Sequence, residues 1–231
     1  MATYSSIYKD FINYLKHPTD AIAEDVSFKS IVRAVILTLT VVVGLLALVV
    51  LVYGVLLIFS PDWVHEDLFQ KTGKPMWIVC LLGPFLEECT FRLALRRNKV
   101  WIAVCFALLP FMVVSKYFFA QDIYTVEFLL PRIGIGLLMG VLLLATLSKP
   151  MSKCRFSTVF YISALLFGLV HVGNVSTLEL LPFDYLVVIV YVFKQFVMGL
   201  LLGYIRIKNG FVVGVFIHAM NNSLYLLSLL G

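Results

Sequence analysis

Two adjacent glutamates lie in an otherwise apolar stretch, in the sequence LEECTFR at residues 86–92. Arg92 follows Glu88 by four positions, so on a helix the two side chains share a face and can form an ion pair. Glu87 is rotated about 100° away around the helix axis and has no such partner on this helix. A carboxylate left unpaired among apolar residues is a candidate general base, able to take a proton from water.

Two of the four histidines also lie in apolar stretches. His171 ends the sequence FGLVH (167–171), and His218 begins the sequence HAMNN (218–222). His218 and Asn222 are four positions apart, so a helix places both N–H donors on one face. Such donors can stabilise the oxyanion that forms when water attacks a peptide carbonyl. A single polar residue in a membrane helix is most often an interhelical contact, but three clusters on three helices favour a site.

The elements that carry these clusters are predicted to be membrane helices. Apolar residues make up 61% of the 231 residues, against about 45–50% in soluble domains, and charged residues make up only 13%. Mean hydropathy is +1.00. A bilayer core needs roughly 20 apolar residues of helix, so the sequence predicts an all-α, polytopic transmembrane helix bundle of about seven spans. The spans are predicted near residues 31–59, 76–95, 100–120, 126–147, 156–172, 183–205 and 211–230.

The basic residues indicate the orientation of the bundle. Twelve of the 18 Lys and Arg residues fall on one side of the predicted spans, and the loops on the other side are mostly acidic. The twelve are Lys9, Lys16, Lys29, Arg33, Arg96, Arg97, Lys99, Lys149, Lys153, Arg155, Arg206 and Lys208. By the positive-inside rule, the N-terminus is cytoplasmic. The net charge of +5 is therefore explained by topology, and nucleic acid is not an expected partner.

The chain is predicted to have two parts. Residues 1–30 form an amphipathic, interfacial segment, with apolar residues at helical spacing beside charged ones. Residues 31–231 form the transmembrane domain. Two small-residue patterns, Gly136-x-x-x-Gly140 and Gly199-x-x-x-Gly203, predict close helix packing. Arg132 is predicted to have a structural role, either paired with Glu127 or extended toward the membrane surface.

The three clusters, in this order on successive membrane helices, resemble the CAAX protease and bacteriocin-processing (CPBP, or Abi) family, including its CAAX prenyl protease 2-like members. The resemblance covers residues of about 76–230, the predicted catalytic core, and implies an intramembrane glutamic endopeptidase that needs no cofactor or metal. By this resemblance, Glu87 and His171 activate the water, and His218 and Asn222 hold the oxyanion. Glu88 and Arg92 support the site. Expected partners are membrane lipid and a membrane-associated peptide or protein substrate.

Two other functions are compatible with the same residues. Glu87, His171 and His218 also make a two-histidine, one-carboxylate set that can bind a metal ion with water as the fourth ligand. Alternatively, the fold serves as a catalytically silent partner, immunity factor or regulator of another membrane protein. The absence of long loops and tails favours a bacterial plasma membrane as the location.

The predicted spans place the catalytic residues at different depths. At 1.5 Å per residue, straight helices put Glu87 roughly 13 Å and His171 roughly 22 Å from the cytoplasmic edge. Residues that activate one water must instead lie within hydrogen-bond reach of it. The span that ends at His171 is therefore expected to start later or lie deeper, with residues 172–182 folding into the bundle.

Overall fold

A computed structural model describes residues 4–21, 26–59, 74–175 and 182–230, so residues 1–3 and 22–25 of the predicted N-terminal segment lie outside the described part. Within these ranges the regular structure is helical, which confirms the all-α prediction. The α-helices are α1 (Tyr4–Lys16), α2 (Phe28–Phe59), α3 (Gly83–Arg92), α4 (Lys99–Val113), α5 (Leu129–Lys153), α6 (Phe156–Val170), α7 (Pro182–Asn209) and α8 (Phe211–Leu230).

Five helical stretches in the described part are long and apolar enough to cross a membrane. They are α2, α4 extended to Phe118, the first 19 residues of α5, α6 extended to Asn174, and α7. The described part of α8 adds a shorter apolar stretch, Phe211–Leu224. The protein is thus a multi-pass membrane protein, while the count of seven spans stays a prediction.

The stretch predicted as one span at 76–95 is a chain of three different helical segments. A π-turn, Ile78–Leu82, precedes α3, and a 3₁₀ turn, Leu93–Arg96, follows it. Pro84 in the first turn of α3 explains the π-turn, because proline has no N–H to donate to the carbonyl four residues earlier. The Gly83 N–H bonds instead to the carbonyl of Ile78, five residues earlier. The helix that carries the two glutamates is therefore short and irregular at both ends.

Large apolar side chains cover the outside of the bundle. Val50 of α2 is 70% exposed, and Leu138 and Val141 of α5 are each 63% exposed. The interior is equally apolar, with Leu201 of α7 and Ile217 of α8 fully buried. A surface and a core of the same apolar character are typical of a protein whose solvent is lipid.

Glycines allow close contact between two pairs of helices, as the small-residue patterns predict. A Cβ on Gly136 of α5 would lie 2.9 Å from the Cα of Phe111 in α4. A Cβ on Gly199 of α7 would lie 2.9 Å from the carbonyl oxygen of Ala164 in α6. Both distances are shorter than van der Waals contact, so the predicted packing role of the glycines is confirmed.

Replacing Gly140 by alanine should destabilise the protein, whereas Gly134→Ala on the same helix should not. A Cβ at Gly140 would collide with the backbone carbonyl of Phe106, but a Cβ at Gly134 meets nothing within 4 Å. Alanine is about 1 kcal/mol better than glycine in a helix interior, so Gly134→Ala is expected to raise the unfolding midpoint slightly. Thermal unfolding of both variants in micelles is the measurement. A Gly140→Ala protein as stable as Gly134→Ala would contradict close packing of α4 on α5.

Helix α1 packs its apolar face against the bundle. Ile7, Phe11 and Tyr14 are each less than 9% exposed. The rings of Phe11 and Tyr14 both contact Tyr204 of α7 edge-on, at 5.2 Å between centroids. Burial raises the pKa of Tyr14 above its usual value. The amphipathic pattern of the N-terminal segment therefore reflects protein contact, and its predicted place at the membrane interface stays a prediction.

Arg132 of α5 is fully buried and holds the loop that precedes this helix. Its guanidinium donates hydrogen bonds to the backbone carbonyls of Asp122, Thr125 and Glu127 and to the hydroxyl of Ser115, at 2.8–3.0 Å. The predicted structural role agrees with these contacts, and the predicted partner residue, Glu127, is contacted. Arg132 bonds to the main chain of Glu127, because a buried guanidinium with five donors is satisfied best by several converging carbonyls.

Candidate active site

Three helical segments bring the predicted residues together. Glu87 extends from α3, His171 begins the 3₁₀ turn His171–Asn174 after α6, and His218 lies in α8. The Glu87 Oε2 atom is 3.5 Å from His218 Nε2 and 4.0 Å from His171 Nε2. The depth difference estimated from straight spans does not keep these side chains apart, since Glu87 and both histidines meet where the three segments come together.

Residues after His171 also fold into the bundle in part. Val175 is 4% exposed and packs against Leu56 of α2 and Val187 of α7. The rest of the stretch, 176–181, lies outside the described residues. This packing agrees with the expected return of the chain into the bundle after His171, whereas α6 begins at Phe156 and so does not start later than predicted.

The orientation of the His171 ring is fixed by its own helix. His171 Nδ1 lies 2.7 Å from the backbone carbonyl oxygen of Phe167. A carbonyl can only accept, so Nδ1 carries the proton and donates it. In the neutral ring, Nε2 then has a free lone pair, and this is the atom that faces Glu87. The spacing of Phe167 and His171 thus sets the tautomer.

His218 lies between the two glutamates. Its Nδ1 is 3.1 Å from Glu88 Oε1, while its Nε2 faces Glu87. Glu88 is fully buried, and its Oε1 also lies 3.7 Å from Arg92 Nε. The ion pair predicted from the i, i+4 spacing is therefore present in the geometry. The contact between Glu88 and His218, across two helices, could not be predicted from either motif alone.

Arg92 is fully buried and is held by charge and aromatic contacts. None of its nitrogens has a hydrogen-bond partner among the described residues. Its guanidinium carbon lies 4.3 Å from the centroid of the Phe167 ring, which is a cation–π contact. The same ring contacts His171 and His218, at 4.7 and 5.7 Å between centroids. The Phe167 ring therefore packs against Arg92 and against both histidines.

Asn222 is placed differently from the other predicted residues. Its Nδ2 donates a hydrogen bond to the backbone carbonyl of Val79, at 3.1 Å. Val79 lies in the π-turn before α3, where the helical hydrogen-bond pattern is shifted. The structure thus brings Glu87, Glu88, Arg92 and His218 into direct contact, and connects Asn222 to the segment that leads into α3.

A cavity of about 100 Å³ opens beside Glu87 and His171. The described residues around it include Lys74, Lys116 and Tyr124, none of which was predicted as part of the site. A Cβ on Gly83 would lie 3.0 Å from the Tyr124 hydroxyl, so a glycine at this position lets the tyrosine approach α3. Burial, and then the charge of Glu87, raises the pKa of Tyr124. No motif marks these residues, because they reach the cavity from loops and turns.

The described part of the chain shows no cluster typical of a metal site. Among the residues that the structure describes, no group of three or more His, Cys, Asp or Glu side chains forms a candidate metal site. The metal hypothesis for Glu87, His171 and His218 is tested directly with a chelator.

Comparison with protein-family models identifies a family for the chain. The model for type II CAAX prenyl endopeptidases, Rce1-like, matches residues 74–224, which is well over half of the chain. The matched range contains all six predicted site residues, from Glu87 to Asn222. No curated protein and no solved structure matches the chain. The chain therefore belongs to the Rce1-like family of type II CAAX prenyl endopeptidases.

Proposed function

We propose that the protein is an intramembrane glutamic endopeptidase that hydrolyses a peptide bond of a membrane-associated peptide or protein. The observation that carries this proposal is the position of Glu87, at the wall of a cavity and within 4.0 Å of Nε2 of two histidines. Family membership supports peptidase activity. A bacterial plasma membrane remains our prediction for its location.

The attacking water is proposed to bind between Glu87 and His171. The two side chains are 4.0 Å apart, which is too long for a direct hydrogen bond but suits one bridging water. A cavity of about 100 Å³ has room for several waters at about 10–15 Å³ each. The lone pair of His171 Nε2 can accept one water hydrogen, and Glu87 can accept the other. This geometry turns the oxygen lone pairs toward the substrate.

The reaction then needs one proton to pass through Glu87. Glu87 takes a proton from the water as the water oxygen bonds to the carbonyl carbon, and the carbonyl oxygen becomes an oxyanion. When the carbon–nitrogen bond breaks, Glu87 returns the proton to the leaving amine. The products are a carboxylic acid and an amine, which together become a carboxylate and an ammonium group when the second water proton passes from the acid to the amine, and Glu87 is ionised again. The enzyme forms no covalent bond to the substrate at any step.

His218 and Asn222 are proposed to donate hydrogen bonds to the oxyanion. Glu88 accepts the Nδ1 hydrogen of His218, so Nε2, which faces Glu87, can donate to the oxyanion only when the ring is the doubly protonated imidazolium. The amide of Asn222 has two N–H groups, and the bond to Val79 uses one of them. Glu88 and Arg92 are positioning residues in this proposal, because they act on His218 and do not reach the substrate.

Cleavage by the purified protein in lipid tests the proposal. Pairs of synthetic peptides with the same sequence, one prenylated on cysteine and one unmodified, are incubated with the protein and analysed by mass spectrometry. We expect cleavage at one peptide bond, unaffected by a strong chelator. Loss of cleavage with chelator would replace the glutamic mechanism by metal-assisted hydrolysis. An absence of cleavage by protein shown to be folded would contradict the proposal and favour a partner-binding role.

Removal of either histidine should slow cleavage nearly as much as removal of the base. His171→Ala and His218→Ala each remove a group that acts in the same step as Glu87. Residues that act as a unit have non-additive effects. The double variant His171→Ala/His218→Ala is therefore expected to cleave little more slowly than either single variant. Single-turnover rates measure this directly, with circular dichroism as the control for folding. Losses that multiply in the double variant would show that the two histidines act independently.

A further inference from the structure

A second cavity, of about 490 Å³, lies away from the candidate active site and shares none of its residues. It is bounded by α1, by the first turns of α2 and by the last turns of α7. Its polar lining includes Asp10, Tyr14, Arg33, Lys208 and Asn209. The proposed mechanism does not use this cavity.

The cavity is expected to lie at the depth of lipid headgroups. Helices α2 and α7 are both long enough to cross the membrane, and the cavity is formed by the start of one and the end of the other. The ends of membrane-crossing helices lie at the boundary between hydrocarbon and headgroups. The buried face of helix α1 packs against the start of α2 and the end of α7. A ligand in this cavity is therefore at the depth of phospholipid phosphates.

The lining residues have the chemistry of a phosphate site. Arg33 and Lys208 supply two cationic donors, and arginine suits phosphate because its planar fork donates two parallel hydrogen bonds. Asn209 is only 5% exposed, yet its Nδ2 has no hydrogen-bond partner among the described residues. A buried amide donor without a partner is costly, so an acceptor supplied by a ligand would stabilise it.

We propose that this cavity binds the headgroup of phosphatidylethanolamine. Arg33, Lys208 and the Asn209 amide hold the phosphate, as basic pockets between membrane helices do for lipid phosphates. The carboxylate of Asp10 lines the same cavity and binds the primary ammonium of the headgroup. One carboxylate among the cations disfavours a second negative charge on the lipid and suits a zwitterion.

Lipid titrations of the delipidated full-length protein in micelles test this proposal. Short-chain phosphatidylethanolamine, phosphatidylglycerol and phosphatidylcholine, and separately sodium phosphate, are added while the thermal unfolding midpoint is recorded. We expect phosphatidylethanolamine to bind about tenfold more tightly than the other two lipids, a difference of about 1.4 kcal/mol. The Arg33→Gln/Lys208→Gln variant should lose about tenfold in affinity for it.

A matched pair of substitutions distinguishes a specific lipid-binding site from a general effect of surface charge. Lys16→Gln/Lys29→Gln removes the same charge from exposed positions on α1 and α2 that do not line the cavity, and should bind the lipid as the wild type does. Equal affinity of the wild type for all three lipids would overturn the proposal even if the cavity variant fails to fold. An equal loss in the matched pair would overturn it too. Tight binding of sodium phosphate that depends on Arg33 and Lys208 would replace the lipid by free phosphate.

Discussion

Glu87→Gln should lower the rate of peptide cleavage by about 10²–10⁴-fold and leave the protein folded, because the contribution of a general base is of this size. Glutamine has nearly the same shape, but its amide cannot take a proton from water. The Glu87 side chain is 21% exposed and is not part of the Glu88–Arg92 ion pair, so we expect folding to tolerate the loss of its charge. Cleavage rates in lipid, measured under single-turnover conditions, check the expectation.

A second glutamate provides the control for this substitution. Glu127 lies in the loop before α5, is exposed, and accepts a hydrogen bond from Gln121 at 3.2 Å. Glu127→Gln makes the same chemical change outside the site and should cleave at the wild-type rate. Wild-type turnover by Glu87→Gln would remove Glu87 as the base. A similar loss in both variants would indicate a general effect of charge on substrate binding.

Local spacing was sufficient to predict the ion pair within α3. Side chains at i and i+4 on a helix are neighbours whatever the rest of the fold does, and Glu88 and Arg92 do lie 3.7 Å apart. Composition was likewise sufficient for the class of fold, because a chain that is 61% apolar has too little polar surface to face water. Both predictions depend only on properties of a single segment.

Contacts between different helical segments could not be predicted from the sequence pattern. The bonds from His218 to Glu88 and from Asn222 to Val79 depend on how α8 is rotated and shifted against α3 and the π-turn. Helical period fixes which residues share a face, but not the depth at which two faces meet. The depths estimated from straight spans therefore did not predict that Glu87 Oε2 and His171 Nε2 lie 4.0 Å apart.

Arg92→Met should destabilise the folded protein by about 3–5 kcal/mol, the usual cost of leaving one partner of a buried ion pair without the other. Glu88 is fully buried, and Arg92 is the cation on its own helix. Methionine keeps an apolar side chain of similar length against the Phe167 ring, so the loss reports the missing charge. The measurement is the unfolding free energy in micelles. Arg96→Met, at an exposed position of the 3₁₀ turn, is the matched control and should be nearly neutral.

A double variant distinguishes the charge from the other roles of Arg92. Glu88→Gln combined with Arg92→Met removes both buried charges and keeps an oxygen acceptor for His218 Nδ1. Replacement of a whole buried pair is often neutral, so the double variant should recover most of the lost stability. Recovered stability together with recovered cleavage would show that Arg92 acts only through the charge of Glu88. A folded but inactive double variant would instead show that the ion pair positions His218 for the reaction. A double variant as unstable as Arg92→Met would contradict the ion pair as the source of the loss, and would assign the stability to the contact of Arg92 with Phe167.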